Sequence, residues 1–264
     1  MNLGLEGKVA LVTGGSQGIG RAIALTLAAE GADLALCARR EGPLAATGEQ
    51  VAALGREVTT VVADVATPAG VRAVTDTTLE RFGRVDILVN NAGKGTPRPM
   101  LELTDDDWHA SLELNLMSAV RLSLACVPHM QARGAGRIVN ISSRVAREPD
   151  PFFAPYAAAK AALINFSKNL ANAFSVDGVL TNCVVPGLIR GEGVQQAAEQ
   201  SAAATGKTVD EVYAATLAKR PIPAGRLGEP EDVAGLVALL VSDLGSWITG
   251  ACFTVDGGIV RGDR

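Results

Sequence analysis

Seven short apolar runs, each separated from the next by a longer amphipathic stretch, leave this chain few folds to choose from. The runs fall at 9–13, 34–38, 59–63, 87–90, 138–141, 180–185 and 252–255. They are continuous and rich in Val, Ile and Leu, as strands buried on both faces must be. The intervening stretches at 19–29, 43–54, 68–82, 105–133, 154–174 and 230–241 carry helical periodicity. Pro43, Pro68 and Pro230 stand near helix starts, where a proline sacrifices no hydrogen bond. Thr104-x-x-Asp107 predicts a capping box opening the fourth helix. Repeated strand–helix–strand units with right-handed crossovers give an α/β fold, a doubly wound parallel sheet with helices on both faces. No linker, repeat or charge block divides the 264 residues, so 1–264 reads as one domain. Only 188–220 breaks the rhythm. It is rich in Ala, Gln and Glu, contains Gly191-Glu192-Gly193, and is expected to form a flap over a site.

Composition narrows the function. With 48% hydrophobic but 4% aromatic residues, the core must be built of Ala, Val, Leu and Ile. A net charge of −4, with no basic block, argues against a nucleic-acid or anionic-membrane partner. Cys37, Cys126, Cys183 and Cys252 are far apart in sequence, each in an apolar run. They read as small buried hydrophobes in a reducing compartment, not as a disulfide framework or metal site. His109 and His129 are the only histidines, which leaves a histidine triad or zinc site poorly supported. Glu6 and Lys8 interrupt any N-terminal signal, and no apolar stretch is expected to reach membrane length. The expected location is the cytoplasm.

Two stretches carry chemistry. Thr13-Gly14-Gly15-Ser16-Gln17-Gly18-Ile19-Gly20 follows the first strand and opens the first helix. Glycines at 14, 18 and 20 permit a tight turn, and the helix N-terminus then offers free N–H groups to a pyrophosphate. A dinucleotide is the expected ligand, although the spacing is G-x-x-x-G-x-G. The second strand ends at Ala38-Arg39-Arg40, without an acidic residue for ribose hydroxyls. Two guanidiniums there can pair with a 2′-phosphate, which favours NADP(H) over NAD(H). Glu41 and the uncharged Gln17 pull the other way, so NAD(H) stays open. Asp64-Val65, ending the third strand, either lies along the adenine or caps the following turn. Asn90-Asn91-Ala92-Gly93 ends the fourth, with small residues that let backbone approach a cofactor and amides that can lock strand ends. The second stretch is Tyr156-x-x-x-Lys160, preceded by Ser143. Four residues apart on a helix, tyrosine and lysine share a face, and an ammonium can lower the phenol's pKa towards use as an acid or base. Ser143, at the end of a strand, can polarise a carbonyl beside them.

Taken together, these motifs resemble the short-chain dehydrogenase/reductase family, in order and over roughly 5–258. Asn115, Pro186-Gly187, the run Arg226 to Ala234, Thr249-Gly250 and Val255-Asp256-Gly257-Gly258 belong to the same resemblance. In flavour it is nearest to 3-oxoacyl-[acyl-carrier-protein] reductase-like members. The resemblance implies a Rossmann-like fold with a seven-stranded sheet and hydride transfer between a nicotinamide and a ketone or secondary alcohol. It implies Tyr156 as acid/base, Lys160 holding the nicotinamide ribose, Ser143 on the substrate oxygen, and Asn115 bending its helix and holding a water beside Lys160. Gly14, Ser16, Gln17, Gly18, Ile19, Gly20, Arg39, Arg40, Asp64, Val65, Asn91, Ala92, Gly93, Pro186, Gly187 and Ile189 become the expected cofactor contacts. Lys94, Arg144, Phe152 and Phe153 are expected near the substrate. A homodimer or homotetramer is also implied. Gly191 departs from the family's frequent threonine, leaving one cofactor contact unassigned. An NAD-dependent alcohol or sugar dehydrogenase and a non-catalytic dinucleotide-binding scaffold are the competing readings.

Overall fold

The computed structural model describes residues 3–262. Seven parallel strands form one sheet in the order β3-β2-β1-β4-β5-β6-β7. They are β1 (Val9–Thr13), β2 (Asp33–Ala38), β3 (Val58–Val62), β4 (Ile87–Asn90), β5 (Gly136–Ile141), β6 (Val179–Pro186) and β7 (Cys252–Val255). The helices are α1 (Gly18–Ala29), α2 (Glu41–Ala53), α3 (Pro68–Phe82), α4 (Asp105–Leu112), α5 (Ser118–Gln131), α6 (Ala154–Phe174), α7 (Glu192–Thr205), α8 (Val209–Lys219) and α9 (Pro230–Val241). The expected strands and helices all form, with ends moved by one or two residues. The segment 188–220 contains two helices, α7 and α8.

Strand alternation distributes the core to both faces. Ala10, Val12, Leu34, Leu36, Ile87 and Val89 pack with Ile23 and Leu27 of α1 and Val233 and Val237 of α9. Their strand neighbours Leu11, Ala35, Cys37 and Leu88 face the other way, with Val74 of α3, Leu122 and Met130 of α5 and Leu170 of α6. Ala198 and Tyr213 of the flap form a small separate core with Ile222 and Leu227 beyond it.

α4 and α5 are one continuous helix joined by a π turn, Glu113–Met117, and α4 opens on the expected Thr104–Asp107 capping box. Contrary to the sequence expectation, the helix Asp105–Gln131 contains an 18-residue window of mean hydropathy 1.3, long and apolar enough to cross a membrane by length and composition. Here that apolarity serves packing: Leu122, Cys126, Val127 and Met130 are buried against the sheet.

The sheet reverses winding between β1 and β4, and side chains tie these strands where they end. Asn91 N and Ala92 N both donate to Thr13 Oγ1, at 3.0 and 2.9 Å. Asn91 Nδ2 returns a bond to Thr13 O at 2.9 Å. Deeper in the sheet, Asn90 Nδ2 donates to Asn140 Oδ1 at 2.8 Å and to Ser123 Oγ at 3.1 Å. Asn140 Nδ2 then donates to Ser167 Oγ at 2.8 Å. This chain links β4, β5, α5 and α6 through fully buried groups, which are costly when left unpaired. Asn140→Ala takes one buried partner from each of Asn90 and Ser167, and is expected to lower unfolding free energy by about 1–3 kcal/mol. Urea denaturation checks this; a midpoint within error of wild type would remove the network's role.

Candidate active site

A cleft of about 690 Å³ opens where the C-terminal ends of the strands meet the flap. Its floor is the turn after β1. Gly14 and Gly18 have φ of +66° and +51°, in the left-handed region that favours glycine. Gly20 is fixed by contact, since a Cβ there would lie 2.2 Å from Gly14 O. Gln17 makes no side-chain cap, so the first N–H groups of α1 face the cleft. That cradle, sized for backbone and open at a helix N-terminus, fits a pyrophosphate. One of its donors, Gly18 N, bonds Glu192 Oε1 at 3.1 Å across from the flap.

The adenosine end is built from β2 and β3. Arg39 and Arg40 both line the cleft, and the Arg40 guanidinium donates to Gln17 Oε1. The uncharged Gln17 thus anchors a neighbouring cation inside the turn. Asp64 also does the capping that the sequence allowed, accepting from Ala66 N at 3.0 Å, while lining the cleft beside Val65. Gly70 of α3 lets that helix approach, because a Cβ there would meet Asp64 O at 2.0 Å. Asn91 lines the cleft with its amide committed to Thr13, and Asn90 lies behind it in the sheet.

At the other end stand Ser143, after β5, and Tyr156 and Lys160 on α6. Lys160 is 2% exposed. Its Nζ donates to Ile141 O at 2.8 Å and lies 5.8 Å from the Tyr156 ring centre. Ser142 Oγ bonds Lys160 O at 2.8 Å, fixing α6 to the end of β5. Burial pulls the lysine down to about 8, which leaves a protonated and a neutral form both accessible. The Tyr156 phenol is pushed up by burial, and a hydrogen bond with Ser143 pulls it back. Lysine-driven depression of the phenol, the sequence expectation, is therefore not the dominant effect within this chain. Phe153 packs edge-on to Tyr156, ring centres 6.5 Å apart, over Gly95, where a Cβ would sit 3.0 Å from Phe153.

Asn115 sits in the π turn and is 1% exposed. Its Oδ1 accepts from Lys94 N at 3.0 Å, while Nδ2 donates to Lys94 O at 3.1 Å and Ser111 O at 3.0 Å. It lies behind the cleft surface, which Leu114 lines instead. A Cβ on Gly93 would lie 2.8 Å from Asn115 Oδ1 and 3.0 Å from Lys160 Nζ. Gly93 is therefore the residue across which asparagine and lysine approach each other.

All the expected cofactor residues line this one cleft, Ser16, Ile19, Ala92, Pro186, Gly187 and Ile189 included. Of the expected substrate residues, Lys94 lines it; Arg144, Phe152 and Phe153 do not. Glu192 was missed in the sequence. Its only signal there is its place directly after Gly191, the position where the expected threonine is lacking. Among the described residues, no group of three or more His, Cys, Asp or Glu could hold a metal.

The family profile described as short chain dehydrogenase matches residues 8–202. The chain is 40% identical over 257 residues to 3-oxoacyl-[acyl-carrier-protein] reductases of Salmonella typhimurium and Escherichia coli, covering 97% of this chain and 99% of each of those. L-Sorbose reductase from Gluconobacter frateurii, solved in complex with NADPH and L-sorbose, superposes over 100% of both chains with a TM-score of 0.97 and 37% identity.

The buried lysine has a measurable consequence. Its folded-state value of about 8 lies below its ordinary 10.5, so between these values the unfolded chain binds more protons and stability rises with pH. Below pH 8 the full penalty applies, about 3 kcal/mol at roughly 1.36 kcal/mol per unit. Lys160→Met is expected to be more stable than wild type at pH 7, by up to that amount, with the gap narrowing towards pH 10.5. Urea denaturation of both proteins across this range checks it; a gap independent of pH would contradict the assignment.

Proposed function

The chain belongs to the short-chain dehydrogenase family, and from that premise we propose that it is an NADPH-preferring reductase of a ketone, run in reverse as a secondary-alcohol dehydrogenase. The observation that carries this reading is one cleft holding the glycine turn, the Arg39–Arg40 pair and the Ser143–Tyr156–Lys160 group. The free N–H groups of α1 would hold the pyrophosphate, Arg39 and Arg40 the 2′-phosphate, and Asp64 and Val65 the adenine edge. Gly93, Lys160 and the Pro186–Ile189 segment would hold the nicotinamide half. A reduced nicotinamide bound there supplies the hydride.

The chain's own part is proton and charge management. Ser143 Oγ donates a hydrogen bond to the substrate carbonyl oxygen, stabilising the negative charge that develops there. The Tyr156 hydroxyl gives its proton to that oxygen. Burial favours the neutral phenol, the form needed for reduction. Lys160, neutral or charged near physiological pH, would return to Tyr156 a proton drawn from solvent, and Asn115 holds the Lys94 backbone alongside. The intact set argues against a purely binding scaffold.

For the substrate, full-length correspondence with a sugar reductase, flap included, favours a small polar ketone such as a ketose. The 40% identity to 3-oxoacyl reductases keeps an acyl thioester as the second reading. Both classes belong in the same turnover panel. With a confirmed substrate, Tyr156→Phe should lose nearly all turnover while still binding NADPH, and Ser143→Ala should lose roughly 10²–10³-fold. Wild-type kcat in Tyr156→Phe would sink the acid/base assignment. The same reading carries homo-oligomerisation through the outer faces of α5 and α6, where Leu124 is exposed; a one-chain mass in light scattering would count against it.

Cofactor choice rests on Arg39 and Arg40. Ala38→Asp combined with Arg39→Leu should weaken NADPH binding by about 1.5–3 kcal/mol, as expected for charge-assisted hydrogen bonds. Titration of wild type with both reduced cofactors tests the preference directly: an equal or tighter Kd for NADH would overturn it.

A further inference from the structure

The sequence separates Cys183 from Cys252 by dozens of residues, yet the fold pairs them. They are register partners on neighbouring parallel strands β6 and β7. Partners in a parallel sheet place their side chains on the same face, with Cα atoms about 4.8 Å apart. That separation lies within the roughly 4.4–6.8 Å range over which a disulfide can close. The other two cysteines have no such partner among the described residues, for Cys37 and Cys126 lie on different elements, both fully enclosed.

The two thiols of the pair differ in surroundings. Cys183 is 1% exposed. It faces α6, close to Lys160 and Ser167. Cys252 is only half-buried, on the last strand of the sheet. Arg147 reaches it, with Nη2 donating to Cys252 O at 3.3 Å. The reachable thiol therefore has a guanidinium beside it, and the enclosed one stands directly behind it. We propose that Cys183 and Cys252 are a peroxide-modified thiol pair, Cys252 taking the oxidant and Cys183 resolving it into a disulfide across β6 and β7.

The electrostatics agree with this division of labour. A hydrogen bond between the thiols lowers Cys252 and raises Cys183; Arg147 lowers Cys252 further, and burial adds to the rise of Cys183. Thiolates are the nucleophiles in such chemistry. Cys252 thiolate attacks one oxygen of hydrogen peroxide, the O–O bond breaks, and sulfenic acid and hydroxide form. The Cys183 thiol then attacks the sulfenic sulfur. An S–S bond forms, the S–O bond breaks, and the departing oxygen leaves as water with the thiol proton. Two thiols are oxidised and one peroxide is reduced to two waters. Cys37 and Cys126, both pushed up to about 12 by burial, remain as thiols and act as internal controls.

The test is independent of substrate identity. The full chain, fully reduced, is treated with one equivalent of hydrogen peroxide, quenched, denatured, alkylated and mapped by mass spectrometry. The expected result is loss of two of the four thiols, a mass lower by two hydrogens, and a peptide pair joining Cys183 to Cys252 that dithiothreitol separates. In Cys183→Ser, Cys252 should instead be captured by dimedone as sulfenic acid, and in Cys252→Ser, Cys183 should stay reduced. Four free thiols after treatment would overturn the proposal. So would a link between two chains, or equal oxidation of Cys37 and Cys126.

Discussion

The tie between Thr13 and Asn91 is the constraint on which the rest of the site depends. At the point where the sheet reverses its winding, nothing covalent holds β1 beside β4, and their loops leave in opposite directions. One threonine hydroxyl accepts from two consecutive backbone N–H groups, and the asparagine amide returns a bond to the threonine carbonyl. The glycine turn lies on one side of this tie and Gly93 on the other. Splaying the two strands by an ångström would separate the pyrophosphate cradle from the lysine end of the cleft. The buried Asn90–Asn140–Ser167 chain repeats the device one layer deeper, extending it to the helix that carries Tyr156 and Lys160.

Around this frame the site is governed more by desolvation than by paired charge. Among the described residues Lys160 has no carboxylate partner; its hydrogen bond goes to a backbone carbonyl. Burial therefore disfavours its charged form and brings it into a range where a proton can be given and taken. The same burial keeps the tyrosine protonated in the ligand-free chain. Lowering the phenol then depends on what enters the cleft and on Ser143. The enclosed end is thus a low-dielectric compartment, while the arginine end stays open to water.

Much of this was legible in the residues. Continuous Val–Leu–Ile runs declared a sheet buried on both faces, and the glycine spacing with Tyr156, Lys160 and Ser143 declared the cleft. What stayed hidden depends on pairings between distant segments. That Gln17 would anchor Arg40, or that Glu192 would reach Gly18 across the cleft, requires the flap and the second strand in place. The apolarity of 105–131 exceeded what the sequence reading allowed, because one side of that helix rests on the sheet. Cys183 and Cys252 looked unrelated for the same reason: strand register is a tertiary property. Arg144, Phe152 and Phe153 were expected at the cleft because they lie between Ser143 and Tyr156 in sequence. That segment instead packs Val145 inward and holds Arg144 half-buried outside the cleft, with Phe152 exposed and Phe153 against Tyr156.

The π turn at Glu113–Met117 has a geometric meaning beyond holding Asn115. Each residue of a regular helix advances its side chain by about 100°, so one extra residue in a turn rotates everything after it by that angle. The front half of this rod is therefore phased to the cleft and the back half to the sheet, and neither phase follows from the other. Side chains of the turn other than Asn115 can be exchanged without disturbing this phase. A change in its length cannot, because removing a single residue would swing Leu122, Cys126 and Met130 a quarter-turn off the sheet or Asn115 away from Lys94. The segment is a fixed-count spacer: its length sets the phase of the rod, and Asn115 fastens it to Lys94.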